Sequence, residues 1–550
     1  MIGILSFVGF TLLVAIISYF ATLKTNEASS DGYFLGGRSL TAGVIAGSLL
    51  LTNLSTEQIV GLNGNAYSEG ILVMAWETLA AIAMVVTALF LLPRYLKSGL
   101  TTVPQFLKDR YDVSTKTLTS ALFLTGYVVV LLPIILYSGS LAISTMFDIP
   151  TMLGVSDTSA LIACVWGIGI IGSIYAVFGG LKAVAVSDSI NAIGLLTGGL
   201  LIPIFGLIAI GDGNILAGVD VLYDENPEKF NSIGSATDSV PFATIFTGMM
   251  LVQLFYWGTN QQIIQRALGA KNLQEGQKGL LLASFIKVLG PLIVVLPGII
   301  AYHMFEGKLT NADQAYPALV NEVLPSYLIG FFAAVLFGAI LSSFNSVLNS
   351  SVTLFGIDIY KQHINKEAPE KTVVKYGKIF GIFLAFAAMF IAPLIANAGS
   401  LFEYLQEVNG IYSIPILTII VVGYLTKRVP AIAAKIGIIS GSVLYIISQF
   451  WLQPTFINRA LEEAATSGIT DADALALIEA QAYPHYLHVM AILFVLNICI
   501  MLVIGKFYPR KEAYLQQYSK QVDITPYKYV KQVGIAIVVL VVGIYIYFAN

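Results

Sequence analysis

The sequence predicts an all-α polytopic membrane protein with about 14 transmembrane helices. Three observations carry that prediction. Of its 550 residues, 57% are hydrophobic and only 11% are charged, whereas soluble domains carry about 25% charged residues. Apolar stretches of the ~20 residues that a bilayer-crossing helix needs recur along the whole chain. Finally, 25 of the 29 Lys and Arg residues fall on alternate connections between those stretches, the asymmetry that marks the cytoplasmic side of a membrane.

The 14 stretches are 3–23, 41–62, 71–97, 116–145, 159–178, 187–211, 241–264, 279–303, 327–361, 373–396, 400–426, 430–452, 486–507 and 531–549. The first reads as a membrane helix rather than a cleavable signal, because no basic residue precedes it and Lys24 follows it. The ninth is long enough to run past the bilayer on one side. Connections after odd-numbered stretches hold the positive charge, from Lys24 and Arg38 to Lys528 and Lys531. The other side holds Lys229, Lys308 and Arg459, and Lys287 lies inside a stretch. The reading is a cell (inner or plasma) membrane protein with both termini outside the cytoplasm. Loops 213–240 and 453–485 are extracytoplasmic caps, and "RALEEAATSGITDADALALIEA" in the second has helical periodicity.

Several function classes are excluded. The basic residues form no basic domain, so nothing points to nucleic acid. Cys164 and Cys499 make neither a disulfide framework nor a zinc site. His485 and His488 lie three apart, but no carboxylate or Cys completes a metal set. Each Gly-Lys pair lacks the Ser or Thr that a phosphate-binding loop requires. No nucleophile–base pair sits among the polar residues of the spans, so an enzyme is not expected.

Those polar residues are concentrated. An unpaired polar group in hydrocarbon costs several kcal/mol, so ionisable residues in spans mark functional sites by default. Stretch 2 holds Asn53, Ser55, Thr56, Glu57 and Gln58; stretch 3 holds Glu77; stretch 6 opens with "SDSIN". Stretch 7 holds Gln253 and "YWGTNQQ", stretch 8 holds Lys287, stretch 9 holds "LSSFNSVLNSS" and stretch 11 holds "EYLQEVNG". Stretches 2 and 7 each open a run of five spans, and each is interrupted by polar residues or Gly. Paired interruptions of this kind point to a transporter binding site, because an unwound helix frees backbone carbonyls for a cation. Ser342, Ser346, Asn349 and Ser350 fall on one helical face of stretch 9. Uncharged oxygens suit a monovalent hard cation, whereas calcium would want several carboxylates.

With these motifs the chain resembles the solute–sodium symporter family, in its sodium/sugar (glucose/galactose) cotransporter branch. The resemblance rests on "YFLGGRSL", "NLSTEQIVG", "FGGLKAVAVSD", "YWGTNQQIIQRAL" and "GAILSSFNSVLNS". It implies a LeuT-type fold of two inverted five-helix repeats. Residues 1–40 would form the first helix and a cytoplasmic link, 41–212 the first repeat and 241–428 the second. Residues 429–550 would add three helices. It also implies a sodium site at the carbonyls of Leu51, Leu54 and Ala339 and the hydroxyls of Ser342 and Ser343. A second sodium, or its release path, would involve Asp188, Asn345 and Ser346, with Asn345 standing where two-sodium members have Ser. Sugar hydroxyls would meet Gln58, Glu77, Gln253, Lys287 and Gln406. Tyr256 would form an inner gate, and Leu62, Trp76 and Phe402 an outer lid. Ala80 replaces a sugar-contacting hydroxyl and Gln253 replaces an Asn, which reshapes the pocket.

The expected function is sodium-coupled import of a sugar, a hexose or a relative, by alternating access, with a monomer as the working unit. The alternative is a sodium- or proton-coupled symporter for a cyclitol, a sugar acid or a sulfated sugar, or a sugar sensor or channel on the same fold.

Overall fold

The computed structural model describes residues 2–22, 29–306, 308–309, 311–397 and 401–549. Among these residues it is helical, with no named strand. The main helices are α1 (Ile2–Thr22), α2 (Ala42–Asn53), α3 (Thr56–Glu69), α4 (Ala75–Val86), α5 (Val113–Met146) and α6 (Asp157–Ile210). There follow α7 (Gly248–Gly258), α8 (Gln261–Leu268), α9 (Leu273–Val288), α10 (Leu296–Phe305), α11 (Ser326–Thr353) and α12 (Glu370–Ile391). The last are α13 (Leu401–Leu425), α14 (Ala431–Ile447), α15 (Gln453–Thr466), α16 (Ala472–Ala482), α17 (Tyr486–Phe507) and α18 (Val530–Tyr547).

Within the described residues, ten helical runs are long and apolar enough to cross a membrane, or eleven with one bent pair counted as a span. The expected 14 is not reached, and the reason is physical. Stretch 2 is divided between α2 and α3, and stretch 7 between α7 and α8, so neither α2 nor α7 spans by itself. A third division was not expected: stretch 8 bends by 47° between α9 and Pro291–Phe305. Gly290 and Pro291 stand at the bend, and proline cannot continue the backbone ladder. Stretches 5 and 6 both hold membrane-long segments, Asp157–Ile174 and Val184–Ile210, on one helical run, α6, of 54 residues. At 1.5 Å per residue it measures about 80 Å, against a hydrocarbon core of about 30 Å. A methyl at Gly172 would touch Phe344, and one at Gly194 would touch Val335. Positions 22 residues apart on α6 therefore meet positions nine apart on α11, so the run is bent between them.

α11 packs along α6 and α1, α2 lies against α6 and α9, and α4 lies against α7 and α9. Small residues allow the close approaches: a methyl at Gly47 would come within 2.9 Å of Ser189 Cα, the small-residue packing that membrane helices use. α11 continues as wider-wound turns to Ile364, so this span of 37 residues overruns a bilayer as expected. There Asp358, fully buried, is held by Lys116 at 2.9 Å and by the hydroxyls of Thr102 and Ser120. The two caps carry the expected short helices, Ile215–Glu225 in one and the pair α15 and α16 in the other.

Candidate binding site at the helix breaks

The first break follows from local sequence. α2 is mostly apolar, with Ser48 and Thr52 its only polar side chains before Asn53; Leu54 then takes ψ 58° and Ser55 is extended at ψ 173°. Ser55 O restarts the ladder by accepting from Gln58 N at 3.1 Å and Ile59 N at 2.9 Å. No backbone donor among the described residues reaches the carbonyls of Leu51 or Leu54. The second break is set by Asn260, whose side chain caps α8 through Gln262 N and accepts the Tyr127 hydroxyl at 2.6 Å. Asn at this position supplies an acceptor to otherwise unpaired N–H groups.

Beside the first break lies a closed polar cluster. Lys287 Nζ donates to both oxygens of Glu77 at 2.6 Å. Gln58 Nε2 donates to Glu77 Oε1 at 2.6 Å, and Asn53 Nδ2 donates to Gln58 Oε1 at 3.0 Å. All four side chains are buried, with Lys287 1% exposed and Glu77 0%. The Lys287 ammonium lies 5.8 Å from the Trp257 ring centroid. Gly290 packs so tightly against Glu77 that a methyl there would sit 2.2 Å from Oε2. The third break thus adjoins the same carboxylate.

Gln253 is engaged at both ends. Its Nε2 donates to Trp76 O at 2.8 Å and its Oε1 accepts from Trp257 Nε1 at 3.2 Å. Gln406, half-buried on α13, makes no hydrogen bond among the described residues. Leu62, Trp76 and Phe402 are all buried. Trp76 meets Phe402 edge to face, with centroids 5.1 Å apart, a favoured aromatic geometry. A methyl at Gly61 would lie 2.8 Å from Phe402 Cβ, so glycine allows Phe402 its close approach to α3. Tyr256 is half-buried, edge-on to Trp257 at 5.3 Å and next to Asn53.

α11 closes on the end of α2. Ser343 Oγ donates to Thr52 O at 3.2 Å, and the hydroxyls of Thr52 and Ser346 are 3.1 Å apart. Ser342 lies beside Asp188, and its buried hydroxyl closes no hydrogen bond. Ala339 is buried one turn earlier. Ser343 thus meets the last turn of α2, where the Leu51 and Leu54 carbonyls lack a backbone donor among the described residues; neutral oxygens of this kind suit a monovalent cation.

Asp188 and Ser346 are joined by a residue that the sequence reading counted only as a cytoplasmic charge. Arg266 is fully buried on α8. It donates to Ser346 Oγ, to Gln262 O, and at 3.3 Å to Ser48 Oγ. Ser48 in turn donates to Asp188 Oδ2 at 2.6 Å. Asn345 Oδ1 is buried without a partner. Asn53, Trp257, Arg266 and Gly290 are therefore parts of the site that sequence reading gave no role, although "GP" at 290–291 was a legible break signal.

A family model described as the sodium:solute symporter family matches residues 33–441. An uncharacterised symporter of Escherichia coli K12, YidK, is 46% identical over 543 residues, covering 98% of this chain and 90% of the relative. The sodium/glucose cotransporter of Vibrio parahaemolyticus is 32% identical, covering 80% of this chain and 83% of the relative. The human sodium/myo-inositol cotransporter 2 is 28% identical, covering 79% and 68%. Among solved structures, a Na⁺-coupled sialic acid symporter in a substrate-bound, outward-open state superposes with a TM-score of 0.71 at 18% identity, covering 94% of this chain and 99% of that one. That likeness establishes a shared fold.

Proposed function

Because the chain belongs to the sodium:solute symporter family, a family of multi-pass membrane transporters that use sodium as coupling ion, we propose that it imports a sugar or cyclitol with sodium by alternating access. The observation that carries this reading is the buried Asn53–Gln58–Glu77–Lys287 cluster at the α2/α3 break, between an aromatic lid and the neutral oxygens of α11. A polyol ring offers alternating donors and acceptors around an apolar face. Glu77, Gln58 and Gln406 accept or share its hydroxyl hydrogens, Lys287 donates, and the rings of Trp76 and Tyr256 cover its C–H faces. Gln253 holds the first turn of α4 through Trp76 O and reaches the solute when that bond opens. The relatives that name glucose and myo-inositol as solutes support this class.

Sodium occupies the carbonyls of Leu51, Leu54 and Ala339 and the hydroxyls of Ser342 and Ser343 in this account. It pins α11 to the end of α2, so that its departure loosens the break and lets Tyr256 swing. Asp188 and Ser346 line the exit, held by Arg266. The positive connections face the cytoplasm and a monomer suffices. One sodium crossing ~100 mV releases ~2.3 kcal/mol, and a tenfold gradient adds about 1.4 kcal/mol. Together these sustain roughly 500-fold accumulation.

The test is solute binding to the purified chain across a panel of hexoses, inositols, glucuronate and a sulfated hexose, with sodium or potassium present. A neutral polyol that binds at least tenfold tighter in sodium, with the gain abolished in Ser343→Ala, is the expected result. Preference for an anionic member, or sodium-independent binding, contradicts it.

A further inference from the structure

The middle of the molecule holds five buried ionisable side chains among the described residues: Glu57, Glu77, Asp188, Arg266 and Lys287. The other buried charges lie elsewhere in the chain: Arg110 and Lys116 at and just after the connection that precedes α5, Asp358 in the turns that follow α11, Lys229 in loop 213–240 and Asp313 in the connection between α10 and α11. Of the five, four are matched. Lys287 faces Glu77 at 2.6 Å, and Arg266 faces Asp188 across the shared Ser48 hydroxyl. Glu57 has no cation. It is 7% exposed, the Ser55 hydroxyl lies beside its carboxyl, and its Oε2 has no hydrogen-bond partner among the described residues. It opens α3, three residues beyond Leu54, and the same break leaves Asn53 Oδ1 and Thr56 Oγ1 unpartnered.

A carboxylate this deep is unfavourable unless a cation offsets it, and without one it holds its charge only in exchange with a proton. The helix dipole at the start of α3 supplies part of that offset, but less than a full charge. The sequence places Glu57 in the polar block that interrupts stretch 2, without assigning it a ligand. We infer that Glu57 is an electrostatic determinant of coupling: the single unbalanced charge of the core, which one bound sodium neutralises without Glu57 touching the ion. In a low-dielectric interior this attraction acts beyond contact distance. The neutral oxygens of α2 and α11 then supply fit, and Glu57 supplies field. The inference rests on the sodium site proposed above in placing the ion near the break.

The experiment is equilibrium ²²Na⁺ binding to the purified full chain, with thermal melting in sodium chloride and in choline chloride, for wild type, Glu57→Gln, Glu57→Asp and Ser343→Ala. The expected result has four parts. Wild type binds one sodium. Glu57→Gln weakens binding at least tenfold, yet melts no lower than wild type in choline, since it removes an unbalanced buried charge. Glu57→Asp keeps most of the affinity. Sodium raises the melting temperature of wild type more than that of Glu57→Gln. Wild-type sodium affinity in Glu57→Gln alongside loss in Ser343→Ala overturns the role of Glu57 and leaves the ion site standing. Loss in Glu57→Gln with wild-type affinity in Ser343→Ala upholds Glu57 and removes the proposed hydroxyl ligand. Two bound sodium ions in wild type, or a Glu57→Gln variant that melts well below wild type in choline, overturns the charge-balance argument.

Discussion

Lys287 keeps its ammonium 1% exposed because Glu77 meets it with both oxygens and Gln58 shares one of them. Removing one partner of such a pair leaves the other charge stranded, at a cost of ~3–5 kcal/mol. Lys287→Met is therefore expected to melt markedly lower and to lose solute transport by at least a hundredfold. Glu77→Gln with Lys287→Met should regain most of the stability and none of the transport; denaturation and uptake of the same preparations separate the two. Glu77, Gln58 and Lys287 were legible as candidates because charge and amide stand out against an apolar run. Asn53 and Trp257 were not assigned, since their roles depend on which helices face each other. Arg266 was misplaced for a different reason: arginines near span ends usually snorkel to the interface, and only the packing of α8 beneath α2 and α11 buries this one.

Among the elements, the three breaks decide where polar groups gather. The interruptions at Leu54–Ser55 and Thr259–Asn260 were readable, because each carries a run of polar residues without a helical face. The bend at Gly290–Pro291 was passed over, because its neighbours are apolar and the stretch around it looks like one span. Gly290→Ala tests its part in the site. The added methyl drives into the Glu77 carboxylate, so the half-saturation for solute should rise severalfold while that for sodium stays unchanged; sodium- and solute-dependence of uptake read the split. Asn260→Ala should cost about 1 kcal/mol of stability through loss of the α8 cap. It should also slow transport, because the Tyr127 hydroxyl then ties α5 to the second break through Gln262 N alone.

For the whole molecule, the charge asymmetry and the hydropathy foretold an all-helical polytopic protein. The structure gives ten or eleven long apolar runs among the described residues against the 14 stretches, and the difference lies where helices break within a stretch, because hydropathy measures length and not backbone continuity. The orientation is open to a direct check. With Cys164 and Cys499 replaced by Ala, a membrane-impermeant thiol reagent should label Ser467→Cys on intact cells and Ser519→Cys only after permeabilisation. The reverse pattern would invert the topology. The central claim is energetic: the sodium gradient drives the solute uphill. The measurement that tests it most directly is uptake into liposomes of known internal volume, with equal labelled solute on both sides and sodium imposed on the outside only. The account predicts a net inward flux that raises internal solute above external, collapses when sodium is equalised at zero potential, and is absent in Ser343→Ala. Solute that never rises above the external concentration under that gradient would contradict it.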